Sequence, residues 1–399
     1  MAIEPSDETA STTSLLRVMN ERAVFERIRQ FGPVSRPQLA EATGLSKPTI
    51  SLALADLERS KLVRAVGHRS GATGRAAVLY EIRPEAGYVI AVDVGRAWIR
   101  LALANLAGQV LARRTEPSQA SSAPKLVTQI TKRARALAAE AGVDFKRITF
   151  TCIGSPGFVD PRSGSIQLAP NLAGWGHPRV LEALGENLGP DFSVENDVKL
   201  ATLGEQAKGQ GKGVANFALV SIGTGIGMGI VIDGRLYHGW RGAAGEIGFL
   251  PLGDAEAAIA TGVQRRGWLE SVAAADGVVA NARPRGMNGR VTAKRVFEAA
   301  RRGEAAALEV VRIEAAHLAR AVAALTSVID PELVVLGGGI GGNGDLLIGP
   351  MEKQLGALLR LPPPRLVVSS LGDDAVVLGA LATALATARE RVFARVVGG

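Results

Sequence analysis

The stretch VIAVDVGRAWIRLALANLAGQVLARR, residues 89–114, decides how this chain folds. It reads as two apolar strands around a tight turn at Asp93 to Arg96, with a third strand beginning near Val110. A second strand–turn–strand segment, which would start a second lobe, lies at residues 216–239 and reads NFALVSIGTGIGMGIVIDGRLYHG. Glycine at every second position of its centre lets backbone N–H groups approach an anion or a sugar closely. Two similar starts predict a duplicated fold with two lobes and a cleft between them.

Short polar loops follow several of the apolar strands. They read CIGSPGFVD (152–160), LAPNLAGW (168–175) and VENDVKLATLGE (194–205). Open α/β sheets present their ligand-binding loops just beyond the strand ends. Asn171, Asn196 and Asp197 offer amide and carboxylate groups that suit sugar hydroxyls. Further on, GAAGEIGF supplies Glu246 and GWLES supplies Glu270, either of which could by itself be a surface carboxylate.

The chain up to residue 83 predicts a winged helix-turn-helix. Apolar residues at helical spacing from Val24 to Phe31 form a first helix. Residues 36–43 form a second helix, and Gly44 supplies the turn that lets two helices cross closely. Ser46 is the N-cap of a third helix, which carries an apolar row on one face.

The DNA-binding residues of this module lie mainly on the third helix and in a basic loop. The third helix presents short polar side chains and one cation where a recognition helix meets base edges and phosphates. The loop VGHRSGATGR (66–75) and the alternating strand VLYEI (78–82) read as a two-stranded wing, whose arginines suit phosphate or minor-groove contact. The predicted DNA-binding residues are Arg36, Ser46, Lys47, Thr49, Ser51, Arg69 and Arg75. A helical adaptor domain that binds protein is the alternative interpretation.

Composition excludes several classes of protein. The net charge of the chain is +8. Residues 22–83 hold 11 Lys and Arg against 5 Asp and Glu, so +6 of this net charge lies in the predicted DNA-binding module. The chain has neither an uncharged apolar stretch of about 20 residues nor an apolar run at its start, so we expect a cytoplasmic protein. The single cysteine, Cys152, excludes an intramolecular disulfide and a zinc site built from several thiolates.

These motifs together resemble the ROK family, named for repressors, open reading frames and sugar kinases. The resemblance runs from the winged helix-turn-helix through DVG, SPGFVD, NLAGW, ENDVKLATLGE, SIGTGIGMGIVIDG, GAAGEIG and VVLGGG. It implies an α/β fold, with the winged helix-turn-helix followed by a two-lobed actin/hexokinase-like (ribonuclease H-like) ATPase-type ROK domain. It implies sugar contacts at Asn171, Asn196, Asp197, Glu246 and Glu270, with Asp197 at the position of the kinases' general base. It implies phosphate-loop positions at Asp93, Gly95, Gly223, Thr224 and Gly225, with Gly337 to Gly339 near the adenosine site.

Three departures from the family pattern point away from catalysis. The first phosphate loop of family kinases resembles Asp-x-Gly-Gly-Thr, whereas Gly95 is followed here by Arg96, and the lost backbone approach argues against ATP held for in-line transfer. Phe249 replaces the family histidine that touches sugar and ligates zinc. The family's Cys-rich zinc loop has become DAEAAIATGVQRRGWLE, residues 254–270, without Cys or His. We therefore expect vestigial phosphate loops, no catalytic residue, no metal and no cofactor, ATP included.

The sequence thus predicts a non-enzymatic, sequence-specific transcriptional regulator, a repressor, that binds double-stranded operator DNA as a homodimer or tetramer. Its effector would be a sugar or sugar derivative, as in xylose or hexose metabolism, whose binding closes the two lobes. An active ATP-dependent sugar kinase, which Asp197 favours, and a ligand-independent DNA-binding dimer, which Phe249 favours, remain alternatives. The predicted organisation is a disordered N-terminus (1–21), a winged helix-turn-helix (22–83), a small lobe (84–200) to which a C-terminal helix (380–399) returns, and a large lobe (201–379).

Overall fold

The computed structural model describes residues 7–69, 77–119, 121–160, 162–163, 165–168, 172–189, 191–252 and 267–397. Within them the helices are α1 (Asp7–Phe31), α2 (Arg36–Thr43), α3 (Lys47–Arg59), α4 (Ala123–Glu140), α5 (Arg179–Leu188), α6 (Asp197–Lys208), α7 (Trp268–Ala273), α8 (Ala275–Ala282), α9 (Ala293–Arg301), α10 (Ala305–Ile329), α11 (Gly338–Gly341), α12 (Gly344–Leu358) and α13 (Ala375–Val397). The strands are β1 (Val34–Ser35), β2 (Val63–Arg69), β3 (Ala77–Ile82), β4 (Tyr88–Val94), β5 (Trp98–Asn105), β6 (Val110–Pro117), β7 (Ile148–Ser155), β8 (Phe158–Val159), β9 (Ile166–Gln167), β10 (Phe192–Asn196), β11 (Phe217–Ile222), β12 (Ile226–Ile232), β13 (Arg235–Leu236), β14 (Leu333–Gly337) and β15 (Arg365–Val368). None of these helices is both long and apolar enough to cross a membrane.

Two five-stranded sheets of the same topology form the two lobes. The strand order is β10-β7-β4-β5-β6 in the first sheet and β13-β12-β11-β14-β15 in the second. In each sheet three successive strands form an antiparallel meander, and two later strands add in parallel on its other side. The parallel strands are reached through helical crossovers, as parallel pairing requires. The repeat confirms the duplicated, two-lobed α/β fold predicted from the two glycine-containing starts.

The central strand of the first sheet, β4, is covered on both faces, which explains why its sequence is almost continuously apolar. Every residue of β4 is buried, since both faces of the sheet are covered. Val89 and Ala91 face the layer that contains α13, whereas Ile90 and Val92 face the layer that contains α4. Cys152 of β7 lies in the first of these layers, and burial raises the pKa of its thiol to about 12.

The N-terminal head is a winged helix-turn-helix that shares a core with the rest of the chain. Helices α1, α2 and α3 pack together, and β2 and β3 form the wing, with β1 added beside β3. Phe25 of α1 packs against Phe393 of α13, with ring centroids 5.8 Å apart. The apolar core of the head is therefore continuous with the layer beneath the first sheet.

The expected disorder of residues 1–21 is wrong for residues 7–21, which form the first part of α1. The guanidinium of Arg17 binds the buried carboxylate of Asp56 on α3 at 2.6 Å and that of Glu21 at 3.0 Å. Val18 also packs against the core of the head. The polar composition of this segment did not indicate the helix, whose contact with Asp56 joins residues distant in sequence.

Helices α6 and α13 cross at close range between the sheets. A Cβ atom added to Gly379 would lie 1.7 Å from the carbonyl oxygen of Leu200, and one added to Gly204 would lie 2.2 Å from that of Ala375. Only glycine permits this approach. Helix α13 also packs on β4 and β7, so the C-terminal helix returns to the first lobe, although it already begins at Ala375.

Candidate functional site

The start of α6 brings two predicted sugar-binding residues to the edge of the first sheet. Asn196 ends β10 and caps α6, because its Oδ1 accepts a hydrogen bond from the backbone N–H of Lys199 at 3.0 Å. Its Nδ2 donates to the carbonyl of Gly157 at 2.8 Å, which ties the SPGFVD loop to the helix. Asp197 follows as the first helical residue and accepts from the backbone N–H of Val198 at 2.8 Å. Asn196 thus positions the loop and the helix on which Asp197 is presented.

Asp197 lies within a group of carboxylates from both lobes. Burial raises its pKa to about 7, assisted by the negative charges of Asp93 and Glu246, although the hydrogen bond from Val198 opposes the shift. Burial also raises the pKa of Glu246, and the charge of Glu270 adds to it. Four carboxylates from four separate motifs are therefore linked by charge, since Asp197 interacts with Asp93 and Glu246, and Glu246 interacts with Glu270.

A buried lysine that the sequence analysis did not single out balances part of this charge. Lys199 is 3% exposed, and its Nζ donates to the carbonyl of Gly242. Burial lowers the pKa of Lys199, whereas the charges of Glu195 and Glu246 act to raise it. The only signal in the sequence is a lone cation between the apolar residues of ENDVKLATLGE, which a solvated helix face would explain equally well.

Glu195 forms a second unforeseen pair at the same edge. Its Oε2 lies 2.9 Å from Nε2 of His238, and its Oε1 accepts from the backbone N–H of Asn196 at 2.8 Å. Burial acts to raise the pKa of Glu195, but these hydrogen bonds and the nearby charges of His238 and Lys199 bring it below its usual range. The pair joins the loop after β13 to the end of β10, and Trp240 in that loop is 80% exposed.

Glu270 supports the second glycine-containing loop. Its Oε2 accepts from the backbone N–H of Ile226 at 3.1 Å, directly after the turn between β11 and β12. Within that turn the N–H of Gly223 donates to the carbonyl of Gly225 at 2.9 Å, and Thr224 is exposed. The carboxylate that was predicted to contact sugar is therefore also a support for the loop.

The first phosphate-loop position holds an internal ion pair. Nη1 of Arg100 on β5 lies 3.1 Å from Oδ2 of the buried Asp93, and Nη2 of Arg100 lies 2.9 Å from Oδ2 of Asp373. Burial raises the pKa of Asp93 to about 6 even though Arg100 acts to lower it. Gly95 donates its N–H to the carbonyl of Trp98 within the turn, and Arg96 is exposed. The sequence analysis did not anticipate Arg100, which supplies the positive charge next to Asp93.

The predicted DNA-binding residues that the structure describes lie at the start of α3 and at the start of α2. Ser46, Lys47 and Ser51 are exposed at the start of α3, and Thr49 is half-buried beside the cap. Oγ of Ser46 accepts from the backbone N–H of Thr49 at 3.3 Å. Nη2 of Arg36 donates to the hydroxyl of Tyr80 on β3 at 2.6 Å, so this arginine links α2 to the wing.

Some of the predicted positions lie outside the described residues. These are Asn171, Arg75, the side chain of Arg69, and residues 253–266 of the former zinc loop. Among the described residues, no group of three or more His, Cys, Asp or Glu side chains is placed to hold a metal ion. Phe249 is described as the last residue of the 3₁₀ turn that follows Glu246, and it is 44% exposed.

Comparison with known proteins gives matches to regulators and to kinases of one family. The ROK family model matches residues 89–387. A glucokinase from Halalkalibacterium halodurans is 33% identical over 73% of this chain and 93% of its own length. A xylose repressor from Caldicellulosiruptor bescii is 26% identical over 92% of this chain and 96% of its own length. The crystal structure of a ROK family transcriptional regulator, a homolog of the E. coli MLC protein, superposes with a TM-score of 0.76 at 24% identity, covers 96% of this chain and all of its own, and so shows the fold.

Proposed function

This chain belongs to the ROK family, and we propose that it is a sequence-specific DNA-binding transcriptional repressor whose kinase-like cleft binds a sugar without phosphorylating it. The observation that carries the proposal is the winged head, which exposes Ser46, Lys47 and Ser51 at the start of α3. The extent of the matches supports it, because the xylose repressor aligns over 92% of this chain and the glucokinase over 73%.

A sugar or sugar derivative fits the chemistry of the cleft. Carboxylates accept hydrogen bonds from hydroxyl groups, and Asp197, Glu246 and Glu270 converge from both lobes. Lys199 beneath them adds a donor and offsets their negative charge. A ligand with several neighbouring hydroxyls would contact residues of both lobes at once and so favour lobe closure.

The state of the first phosphate-loop position supports the absence of kinase chemistry. Phosphoryl transfer needs cations that bridge the transferred phosphate, and the family loop begins with the carboxylate that Asp93 represents here. The guanidinium of Arg100 already pairs with Asp93, and Asp373 binds the other side of the same guanidinium. The long side chain of Arg96 replaces the small residue that would let phosphate approach.

Helices α6 and α13 form the route from the cleft to the head in this proposal. Asp197 begins α6, and α6 crosses α13 so closely that only glycine fits at Gly204 and Gly379. Helix α13 in turn packs on α1 through Phe393. Lobe closure that shifts α6 would therefore change the position of the head. In a homodimer or tetramer, two heads would read half-sites about 34 Å apart, so that a change in head spacing would couple sugar to DNA by roughly 1–3 kcal/mol.

Substitution of Lys47 tests the DNA surface. DNA fragments retained by the purified full-length protein would first supply the operator. Lys47→Ala is then expected to weaken operator binding about tenfold and to lower the slope of log affinity against log salt by about one, since one phosphate contact is lost. Lys132→Ala removes the same charge from the exposed side of α4 and should leave both quantities unchanged. Equal effects of the two substitutions in a salt titration would contradict the assigned DNA surface.

The pKa of Asp197 predicts the pH dependence of sugar binding. If its ionised carboxylate accepts hydroxyl hydrogen bonds, affinity should rise roughly tenfold between pH 6 and pH 8, because the group ionises around pH 7. Calorimetry with a panel containing glucose, xylose and N-acetylglucosamine would identify the tightest ligand, and the same ligand would then be titrated at several pH values. Asp197→Asn should bind weakly at every pH. A pH-independent affinity in the unsubstituted protein would show that Asp197 is not the acceptor.

An active sugar kinase is the second candidate, favoured by the glucokinase match and by the retained Asp197. The pKa of the Asp197 carboxyl, raised to about 7, also suits a general base that works near neutral pH. The purified protein would be assayed with ATP and the same monosaccharides for sugar phosphate. We expect no turnover above background. Turnover that Asp197→Asn abolishes would replace the repressor proposal with a kinase.

A further inference from the structure

The loop that joins β13 to the GAAGEIGF motif exposes a tryptophan that neither the DNA surface nor the carboxylates of the cleft account for. Trp240 in this loop is 80% exposed. Of the 17 Trp, Tyr and Phe side chains of the chain five are exposed, and three of these five lie within residues 237–249. An exposed aromatic ring leaves a large apolar surface in water, and a ligand or partner that covers it gains stability from that contact.

The loop around Trp240 is a closed turn. The backbone N–H of Ala244 donates to the carbonyl of His238 at 3.1 Å, which leaves Trp240 close to the tip. Gly239 and Gly242 lie on either side of the tip with φ of 73° and 79°, a backbone conformation that favours glycine. The tryptophan is therefore carried on a turn whose backbone is fixed at its base.

Both ends of this turn rest on residues that flank Asp197 in the chain. Nε2 of His238 lies 2.9 Å from Oε2 of Glu195, and the carbonyl of Gly242 accepts a hydrogen bond from Nζ of Lys199. The tryptophan is two residues from each end, so its Cα atom lies within about 7.6 Å of the Cα atoms of both ends. These contacts place the tryptophan at the rim of the cleft that contains Asp197.

The turn also leads directly into Glu246, one of the predicted sugar contacts. The backbone N–H of Glu246 donates to the carbonyl of Ala243 at 3.3 Å. The charge of Lys199, which holds one end of the turn, interacts with the carboxyl groups of both Glu195 and Glu246. A sugar ring bound by Glu246 and Asp197 would therefore lie beside the turn, and a group attached to that ring could extend to the indole.

The chemistry of an indole selects what such a group would be. One face of a pyranose ring presents C–H groups, and these pack on the face of an aromatic ring, which carries partial negative charge. The contact covers apolar surface on both partners and leaves the sugar hydroxyls free to bind water. A single ring bound by the carboxylates would leave Trp240 uncovered, whereas two linked rings would use both surfaces.

We propose that Trp240 is the binding platform for a second sugar ring, so that the ligand of the cleft is a disaccharide whose first ring binds the carboxylates and whose second ring packs on the indole. The inference rests on the proposed sugar-binding function and names the class of its ligand. The ties from the turn to Glu195 and Lys199 favour a sugar over a protein partner, because they hold the tryptophan beside the groups that bind the first ring.

Calorimetry with mono- and disaccharides tests this proposal. Glucose would be compared with maltose and cellobiose, xylose with xylobiose, and N-acetylglucosamine with diacetylchitobiose. At least one disaccharide is expected to bind about tenfold more tightly than its monosaccharide. Trp240→Ala should remove this gain and leave the affinity for the monosaccharide within about twofold, whereas Trp240→Phe should keep most of the gain because it retains an aromatic face. Phe31→Ala is the matched control, since it removes an exposed aromatic ring from the end of α1 and should change neither affinity.

Tryptophan fluorescence supplies a readout that a merely structural role of Trp240 would not change. Acrylamide quenches the emission of indoles that are in contact with water. The disaccharide should protect part of the emission from acrylamide, because the second ring covers Trp240, and the monosaccharide should not. The same disaccharide should give no such protection in Trp240→Phe, in which the other three tryptophans remain.

Three results would overturn the proposal. They are the absence of any disaccharide gain, equal losses of mono- and disaccharide affinity in Trp240→Ala, and a change of oligomeric mass in that variant by sedimentation, which would assign Trp240 to a contact between subunits. Failure of every sugar to bind would overturn the proposed sugar-binding function as well. Tight binding of a monosaccharide without a disaccharide gain would overturn only the platform.

Discussion

Gly379→Ala is expected to lower the free energy of unfolding by roughly 3 kcal/mol or more, because overpacking of a closed helix crossing forces backbone to move. The added methyl group would lie 1.7 Å from the carbonyl oxygen of Leu200 and 2.9 Å from the backbone nitrogen of Gly204. Both neighbours are main-chain atoms of α6, so no side-chain rotation can relieve the contact. Helices α6 and α13 would have to separate along their whole crossing.

Gly356→Ala provides the matched control for this prediction. Gly356 also lies inside a helix, α12, but a Cβ atom there would have no neighbour within 4 Å. Alanine favours the helix over glycine by about 1 kcal/mol, so this variant should be as stable as the parent or more stable. Chemical unfolding followed by circular dichroism measures both. Similar stability of the two variants would contradict the close crossing of α6 and α13.

Glu314→Leu is expected to raise the free energy of unfolding by about 1–3 kcal/mol at neutral pH, more if the carboxyl is charged there. Glu314 lies in the middle of α10 and is 1% exposed, and neither of its carboxyl oxygens has a hydrogen-bond partner among the described residues. Burial alone raises its pKa well above the usual value. Leucine has a similar size and removes the uncompensated polar atoms from an apolar layer.

The pH dependence of this gain follows from the direction of the pKa shift. In the unfolded chain the carboxyl loses its proton near pH 4.3, while the folded chain holds it to higher pH. The parent protein therefore loses stability as pH rises above about 4.3, until the pKa of the folded state is passed. Glu314→Gln cannot titrate, so its stability relative to the parent should increase between pH 5 and pH 8. A constant difference over that range would show that Glu314 is not buried as described.

The crossing of α6 and α13 bears on how the proposed regulator would respond to sugar. A sugar-responsive regulator must transmit a change in its cleft to its DNA-reading head. Helix α6 has Asp197 at one end and Lys208 at the other, and α13 packs on both α6 and α1. Substitutions at this crossing should therefore alter the response to sugar even where DNA contacts are untouched.

Much of the fold could be predicted because its signals are local in the chain. The two glycine-containing starts, each an apolar hairpin of contiguous residues, indicated the two lobes, and helix spacing with the Ser46 cap indicated the head. Local composition also misled, since the polar residues 7–21 read as disordered. Within this helix Arg17 pairs with Asp56, a contact between residues far apart in sequence that local composition does not indicate.

The residues of the candidate site also fall into those that local motifs indicate and those that only tertiary contacts bring in. Asp197, Glu246 and Glu270 could be named from motifs, because each stands beside a recognisable strand or turn. Their neighbours could not, since Arg100 meets Asp373, Glu195 meets His238 and Lys199 reaches the carbonyl of Gly242 only after the lobes have formed. No periodicity or spacing along the chain carries those pairings.

The amino-acid sequence by itself determined the order of the modules, the duplicated sheet and the family, because hydrophobic periodicity, turn residues and motif spacing are properties of neighbouring residues. Only the tertiary structure decided which charges are paired and which carboxyls have a raised pKa. Those properties depend on distance and burial, and both are set when segments hundreds of residues apart pack against one another.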